Sequence, residues 1–158
     1  MENDLLNIQT DITRISSLIA EIHTDATNYL DEQLKLHGLS EITASHGFIL
    51  FILSQNIDET TGDLIPMAMK NISRKIYKDK STTTVLIRKL ENLGYVTRNK
   101  KDQDSRFSYI SLTNKGLTFS KNLKKISSEL SEKFYAGFSE EEKKAVVSLL
   151  KKIQSNFE

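Results

Sequence analysis

The 158-residue chain has no cysteine and a single proline. The absence of cysteine excludes a disulfide framework, a thiol redox sensor and a cysteine-based zinc site. No apolar run approaches the roughly 20 residues that a membrane-spanning helix needs. The first four residues, Met-Glu-Asn-Asp, are acidic and lack the basic-then-apolar order of a signal peptide. These absences predict a cytoplasmic protein without a membrane partner.

The charged residues are unevenly distributed. Hydrophobic residues make up 38% and charged residues 27% of the chain, which suits one ordinary globular domain with a core. Between Pro66 and Gly116 there are twelve Lys/Arg and four Asp/Glu, a local net charge of +8. Because the whole chain carries +1, the rest carries −7. A basic middle between acidic flanks indicates a nucleic-acid-binding module. The alternative is a surface charge that is merely uneven.

Both ends of the chain are predicted to be helical, with apolar stripes that need a partner. Apolar residues alternate at spacings of three and four from Leu5 to Tyr29, a seam that predicts one long helix stopping near Gly38. A helix from Thr113 to about Tyr135 precedes a last helix capped by Ser139. We expect the terminal stripes to form a two-fold homodimer. The alternative is that both stripes pack within one monomer. The predicted dimer-interface residues are Leu5, Ile8, Ile12, Ile15, Val146, Leu150, Ile153 and Phe157.

The middle of the chain has the element order of a winged helix-turn-helix. Ser40 or Thr43 caps a second helix, and Leu64-Ile65 forms a very short strand. A short helix from Lys70 to Tyr77 is followed by a longer one, capped by Asp79 and ended by Gly94. Residues 95–98 and 108–112 form a β-hairpin with a polar tip. The predicted fold is therefore mainly α with a small hairpin. Residues 39–116 are the DNA-binding region, intertwined with a dimerisation region made of 1–38 and 117–158.

One face of the longer helix is predicted to read DNA. Thr83, Leu86, Ile87 and Leu90 share one side and face the core, so the opposite side faces outward. Val85 on that outward side either meets a thymine methyl or covers a neighbouring loop. The hairpin tip is either an ordinary solvated turn or one in which Asp104 orients Arg106. The predicted DNA-contacting residues are Lys80, Ser81, Thr82, Thr84, Val85, Arg88 and Lys89 in the recognition helix; Lys100, Lys101, Asp104, Ser105 and Arg106 in the wing; and Arg74, Lys75 and Lys78 in the supporting helix.

Several segments together resemble the MarR family of winged helix-turn-helix transcriptional regulators. The run from Ser81 to Val96 is similar to that family's recognition helix and its exit into the wing. Asp104-Ser105-Arg106, followed by Leu112-Thr113 and Gly116, resembles its wing signature of Asp-Arg-Arg, a strand and Leu-Thr-x-x-Gly. Leu39-Ser40 and the segment from His46 to Leu50 resemble its second helix. Ser105 departs from the pattern, since the family usually has an arginine there. The resemblance implies that Arg106 enters the minor groove.

The resemblance also implies a small-molecule effector. The family often senses ligands in the cleft between the dimer helices and the DNA lobe, which places Tyr29, His46 and Phe51 near such a pocket. The alternative is that these three are packed core or rim residues. His23, His37 and His46 do not lie at a metal-ligand spacing, so we expect no metal and no cofactor.

The predicted function is a ligand-responsive repressor that binds a pseudo-palindromic double-stranded DNA operator as a dimer. The alternative is a winged-helix scaffold that does not read DNA sequence. An enzyme is not expected, because the chain lacks a nucleophile-base pattern, a phosphate-binding glycine loop and a convincing acid pair.

Overall fold

The computed structural model describes residues 2–100 and 108–157, with side chains from residue 14 onward except that of Lys100. The described part of the chain is mainly helical, with one small sheet, as predicted. It divides into two compact units, one extending to Ile126 and one beginning at Ser127. The elements in chain order are α1 (Glu2–Leu36), α2 (Ala44–Ser54), β1 (Met67–Ala68), α3 (Met69–Lys75), α4 (Lys80–Asn92), β2 (Val96–Lys100), β3 (Ser108–Leu112), α5 (Asn114–Phe134) and α6 (Glu140–Ser155).

The predicted hairpin is the main part of an antiparallel sheet with the strand order β1-β3-β2. Arg98 on β2 lies opposite Ile110 on β3, and Met67 on β1 lies opposite the same Ile110 from the other side. Ile110 is fully buried, and β3 packs against α2 and α3. The central strand therefore attaches the wing to the helices that form the core of the first unit.

The prediction of a strand at Leu64-Ile65 was wrong. These residues pair instead with the preceding loop: Leu64 bridges Ile57, and the Ile65 amide donates to the Asn56 carbonyl at 2.8 Å. The sheet begins one residue after Pro66, at Met67. Proline has no amide hydrogen to donate to a ladder, so it marks the boundary between the loop pairing and the strand.

The core of the first unit joins α2, α3, α4 and the sheet. The apolar run in α2 is buried on most sides, with Ile49 and Leu50 fully covered and Phe48 exposed. Ile72 from α3 and Ile87 from α4 are also fully buried. Of the two caps considered for α2, Thr43 is the one that the structure uses. The helix-turn-helix is thus anchored through one apolar side of each of its helices.

Apolar side chains of the terminal helices remain exposed. In α1, Ile15, Leu18, Ile19 and Ile22 are exposed, whereas Leu34 near the end of the helix joins the core. In the second unit, the apolar stripe of α6 is exposed at Leu149, Leu150 and Ile153, and Ser139 caps this helix as predicted. In α5, Leu123 and Ile126 are buried and Phe134 is exposed. Within the described residues, no helix has the length and apolarity needed to cross a membrane.

Candidate nucleic-acid interface

The side of α4 that faces outward is decided by the core beneath it. Thr83, Ile87 and Leu90 are fully buried, and Leu86 is half-buried against the core, as predicted. At 100° per residue, the opposite side of the helix is then free. Val85 is 65% exposed on that side, so it does not cover a neighbouring loop. Among the other predicted contacts on this helix, Lys80, Ser81, Arg88 and Lys89 are exposed, and Thr82 and Thr84 are half-buried.

Asp79 organises the first turn of α4. Its carboxylate accepts a hydrogen bond from the Thr82 amide at 2.9 Å and from the Thr82 hydroxyl at 2.6 Å. The Ser81 hydroxyl donates to the same carboxylate. These donors, with the Ser81 hydroxyl contributing most, hold the pKa of Asp79 well below its ordinary value. The predicted N-cap is confirmed, and the start of the recognition helix carries a fixed negative charge.

The hydroxyl hydrogens at this end of α4 are already engaged within the helix. The Thr84 hydroxyl donates to the Lys80 carbonyl at 2.7 Å, and the Ser81 and Thr82 hydroxyls donate to Asp79. A hydroxyl has only one hydrogen to donate but two lone pairs with which to accept. In this arrangement, these side chains offer lone pairs outward. A phosphate contact from any of them requires the hydroxyl to give up its present partner.

We expect Asp79→Ala to lower the melting temperature at neutral pH, because it removes the acceptor for the amide of Thr82. The pKa of Asp79 is depressed in the folded state, so the stability it contributes is present above the unfolded pKa of about 4. That contribution is lost as the pH falls through the folded pKa. The melting temperatures of the two proteins, measured between pH 7 and pH 3, should therefore become more similar as the pH falls. Asp25→Ala, at an exposed aspartate within α1, is the matched control and should not lower the melting temperature.

The end of α4 is held by the start of α5. The Lys115 ammonium donates to the Leu93 carbonyl at 2.7 Å and lies 4.4 Å from the centre of the Tyr95 ring. The Thr113 hydroxyl donates to the Gly94 carbonyl at 2.7 Å and accepts from the Gly116 amide at 3.1 Å. Thr113 therefore caps α5, as predicted, and also secures the turn that ends the recognition helix. Lys115 was not among the predicted site residues, because its partner is 22 residues away in sequence.

The supporting helix and the wing carry the other predicted DNA contacts, beside those on the outward face of α4. Arg74 and Lys75 at the end of α3 and Lys78 in the following turn are all exposed. In the wing, Arg98 on β2 forms an ion pair with Glu91 of α4, with Nε 3.5 Å from Oε2. This contact ties the strand to the recognition helix. Of the predicted wing contacts, Lys101, Asp104, Ser105, Arg106 and the side chain of Lys100 lie outside the described residues.

The predicted ligand-pocket residues lie on two adjoining helices. Tyr29 on α1 and Phe51 on α2 are half-buried, and His46 on α2 is buried. The Thr43 hydroxyl lies 2.7 Å from Nδ1 of His46. Burial lowers the pKa of His46, the charge of Lys89 lowers it further, and the charge of Asp31 opposes them. The pKa of His46 thus depends on a charge on the long helix α1 and on a charge on the recognition helix α4.

Five of the predicted dimer-interface residues have side chains that the structure describes, and all of these except Val146 are exposed. Ile15 in α1 is exposed, and so are Leu150 and Ile153 in α6. Phe157, just after α6, is 87% exposed, whereas Val146 is half-buried. The side chains of Leu5, Ile8 and Ile12 lie outside the described residues. In a single chain, most of these apolar side chains are therefore exposed to solvent.

Known proteins resemble this chain in sequence and in fold. The family model described as the MarR family matches residues 42–107, from the start of α2 into the wing. The HTH-type transcriptional regulator SarZ of Staphylococcus epidermidis is 30% identical over 141 residues, covering 87% of this chain and 82% of that protein. SarZ of Staphylococcus haemolyticus is 38% identical over 88 residues, covering 56% of this chain and 58% of that protein. In fold, the chain is similar to MepR of S. aureus in a structure of its DNA complex, with a TM-score of 0.77, 23% identity and coverage of 89% of this chain and 96% of that one.

Proposed function

The chain belongs to the MarR family of transcriptional regulators, and on that premise we propose that it binds a pseudo-palindromic DNA operator as a homodimer, represses transcription and releases DNA when a small ligand binds. The observation that carries the proposal is the outward face of α4. Ser81, Val85 and Arg88 are exposed on a helix whose other side is fully buried. The major groove admits one such helix, and this helix lies in the most basic part of the chain.

Direct and indirect contacts are assigned to different side chains in this proposal. Arg88 carries a fork of donors that matches the O6 and N7 acceptors of guanine, and Val85 supplies an apolar contact for a thymine methyl. Arg74, Lys75 and Lys78 neutralise phosphates from the supporting helix and its turn. Arg106 enters the minor groove, with Asp104 orienting it. No step in this scheme calls for catalysis, and we propose none.

The dimer in this proposal uses the exposed apolar stripes of α1 and α6. Exposed leucine and isoleucine side chains at helical spacing favour burial against a second copy over a solvated monomer. Residues 1–38 and 117–158 serve dimerisation, and residues 39–116 serve DNA binding. A two-fold dimer presents its two recognition helices about 34 Å apart, one turn of DNA, which suits two half-sites.

The ligand response in this proposal acts through His46 and its neighbours. The Asp31 carboxylate of α1 accepts a hydrogen bond from the Ala44 amide at the start of α2, so the long helix is connected to the DNA lobe at this point. A ligand held by Tyr29, His46 and Phe51 would favour one separation of the two DNA lobes over another. Such differential binding shifts the population away from the spacing that fits the operator.

A salt series tests the proposal directly. The purified protein is titrated onto the DNA upstream of its own gene and onto random duplex of equal length, at increasing salt. A regulator should prefer the upstream DNA and lose about 0.9 log units of affinity per log unit of salt for each phosphate it contacts. Equal affinity for both duplexes at every salt concentration would contradict sequence-specific binding and favour the protein-binding scaffold instead.

Two arginine variants separate base reading from backbone binding. Arg88→Ala should cost about 1–3 kcal/mol on the operator and little on variants altered at the base pair that Arg88 contacts. Arg106→Ala should cost a similar amount, about 1–3 kcal/mol, on every operator variant, because the minor groove carries little sequence information. Affinities on a panel of single-base operator variants distinguish the two patterns. Lys124→Ala, at an exposed lysine of α5 outside the predicted surface, is the control. Uniform losses for Arg88→Ala would remove its base-reading role.

A further inference from the structure

Tyr77 has a backbone conformation that is unfavourable for its side chain. It is the C′ residue of α3: the Lys78 amide donates to the Ser73 carbonyl at 3.1 Å across it, and its own φ is +53°. A residue with a Cβ pays a steric cost there, which is why glycine is strongly favoured at this position. The other described residues with positive φ are all glycines, namely Gly38, Gly62, Gly94 and Gly137.

The fold of the protein does not benefit visibly from this tyrosine. The side chain of Tyr77 is 80% exposed, the most among the large hydrophobic side chains that the structure describes in the first unit. The chain around it is anchored by other residues, since Ile76 before it is buried and Asp79 after it caps α4. An aromatic ring in water at a strained position gives no stability in return for its cost. Strain retained without a stabilising contact points to function.

The position of Tyr77 suggests what its side chain binds. The turn that carries it connects the supporting helix to the recognition helix, where the protein approaches DNA in a helix-turn-helix. Exposed cations lie on both sides of it in sequence, with Arg74 and Lys75 before it and Lys78 and Lys80 after it. A phenol has few rotatable bonds, offers an apolar face to a sugar and has a hydroxyl for a phosphate oxygen.

We propose that Tyr77 is a further DNA-contacting residue, whose ring packs against a deoxyribose of the operator backbone and whose hydroxyl donates a hydrogen bond to a phosphate. This inference rests on the proposed function. It adds an uncharged contact to those that the basic residues make. The exposed side chain projects from the turn, and the buried Ile76 and the Asp79 cap hold its backbone in place.

The test is a series of substitutions at Tyr77, measured for both stability and affinity. Tyr77→Gly relieves the positive φ, so its melting temperature should equal or exceed that of the unsubstituted protein. Its affinity for the DNA upstream of the gene should nevertheless fall roughly tenfold, the size of one lost hydrogen bond and its packing. The slope of affinity against salt should not change, because tyrosine carries no charge. Tyr77→Phe, which keeps the ring, should lose less affinity than Tyr77→Gly.

Two comparisons make the outcome decisive. Ile57→Ala shortens another exposed apolar side chain, in the loop before β1 and outside the predicted DNA contacts and dimer stripes, and should leave affinity unchanged. The inference would be overturned if Tyr77→Gly bound with an affinity within twofold of that of the unsubstituted protein. It would also be overturned if the variant lost stability together with affinity, because Tyr77 would then support the turn. If the unsubstituted protein does not prefer the upstream DNA, the proposed function itself fails. If it does, and Arg88→Ala weakens binding while Tyr77→Gly does not, only the inference about Tyr77 fails.

Discussion

Gly116→Ala should destabilise the protein by about 3 kcal/mol or more, the upper range for overpacking a closely packed site. A Cβ at Gly116 would lie 2.1 Å from the Tyr95 carbonyl oxygen and 3.1 Å from its carbonyl carbon. Both atoms belong to the backbone, and hydrogen bonds hold that backbone on each side. The Tyr95 amide donates to Leu90 at 2.9 Å, and the Tyr95 carbonyl accepts from Thr113 at 3.1 Å. Nothing in this contact can rotate away.

Gly47→Ala is the matched control, since Gly47 is also a buried glycine within a helix. A Cβ at Gly47 would lie 3.4 Å from Cδ2 of Leu123, which is an ordinary contact with the end of a side chain. Replacing a glycine inside a helix with alanine gains about 0.5–1 kcal/mol, so this variant should be at least as stable as the unsubstituted protein. Denaturant unfolding measures both. A loss below about 1 kcal/mol for Gly116→Ala would contradict the steric argument.

Leu150→Glu combined with Ile153→Glu should yield a monomer that binds the operator at least about 100-fold more weakly, because only one half-site is then engaged at a time. Both side chains lie on the exposed stripe of α6, where a carboxylate is solvated in a single chain and strongly disfavoured in an apolar interface. Sedimentation gives the oligomeric state, circular dichroism checks that the helices persist, and titration of the upstream DNA gives the affinity.

The control for this variant adds the same charge to the other side of the helix. Ser148 and Ser155 are exposed and lie roughly opposite the apolar stripe at 100° per residue. Ser148→Glu combined with Ser155→Glu should leave both the dimer and the affinity unchanged. A Leu150 and Ile153 variant that stays dimeric would show that the α6 stripe is not the interface. A monomeric variant with unchanged affinity would show that operator binding does not require the dimer.

The wing signature that suggested the family acquires a physical explanation in this fold. In Leu-Thr-x-x-Gly, Thr113 caps α5 while it bonds to the turn after α4, and Gly116 allows α5 to approach the Tyr95 backbone. Lys115, between them, donates to the carbonyl of Leu93, the residue that caps the end of α4. The motif therefore fixes the end of the recognition helix. It helps to orient α4 and need not touch DNA.

The elements that were predicted correctly depend on neighbours close in sequence. Asp79 and Ser139 cap their helices through amides three residues away, so each signal is complete within one turn. The inward side of α4 followed from the spacing of Thr83, Ile87 and Leu90, which the helix converts directly into a face. The strand expected at Leu64-Ile65 failed for the opposite reason. A strand exists only where another chain segment pairs with it, and the pairing partner of β3 proved to be Met67-Ala68.

By itself, the sequence determined the helices, their caps, the outward face of α4 and the basic block that makes this face a candidate DNA reader. Helix periodicity and capping act over three or four residues, so their pattern is visible in a linear chain. Only the tertiary structure decided that Lys115 and Gly116 hold the end of α4, that His46 lies within reach of charges on α1 and α4, and that Tyr77 stands exposed at a positive φ. The first two depend on residues distant in sequence coming into contact, and the third on a backbone angle that tyrosine ordinarily avoids.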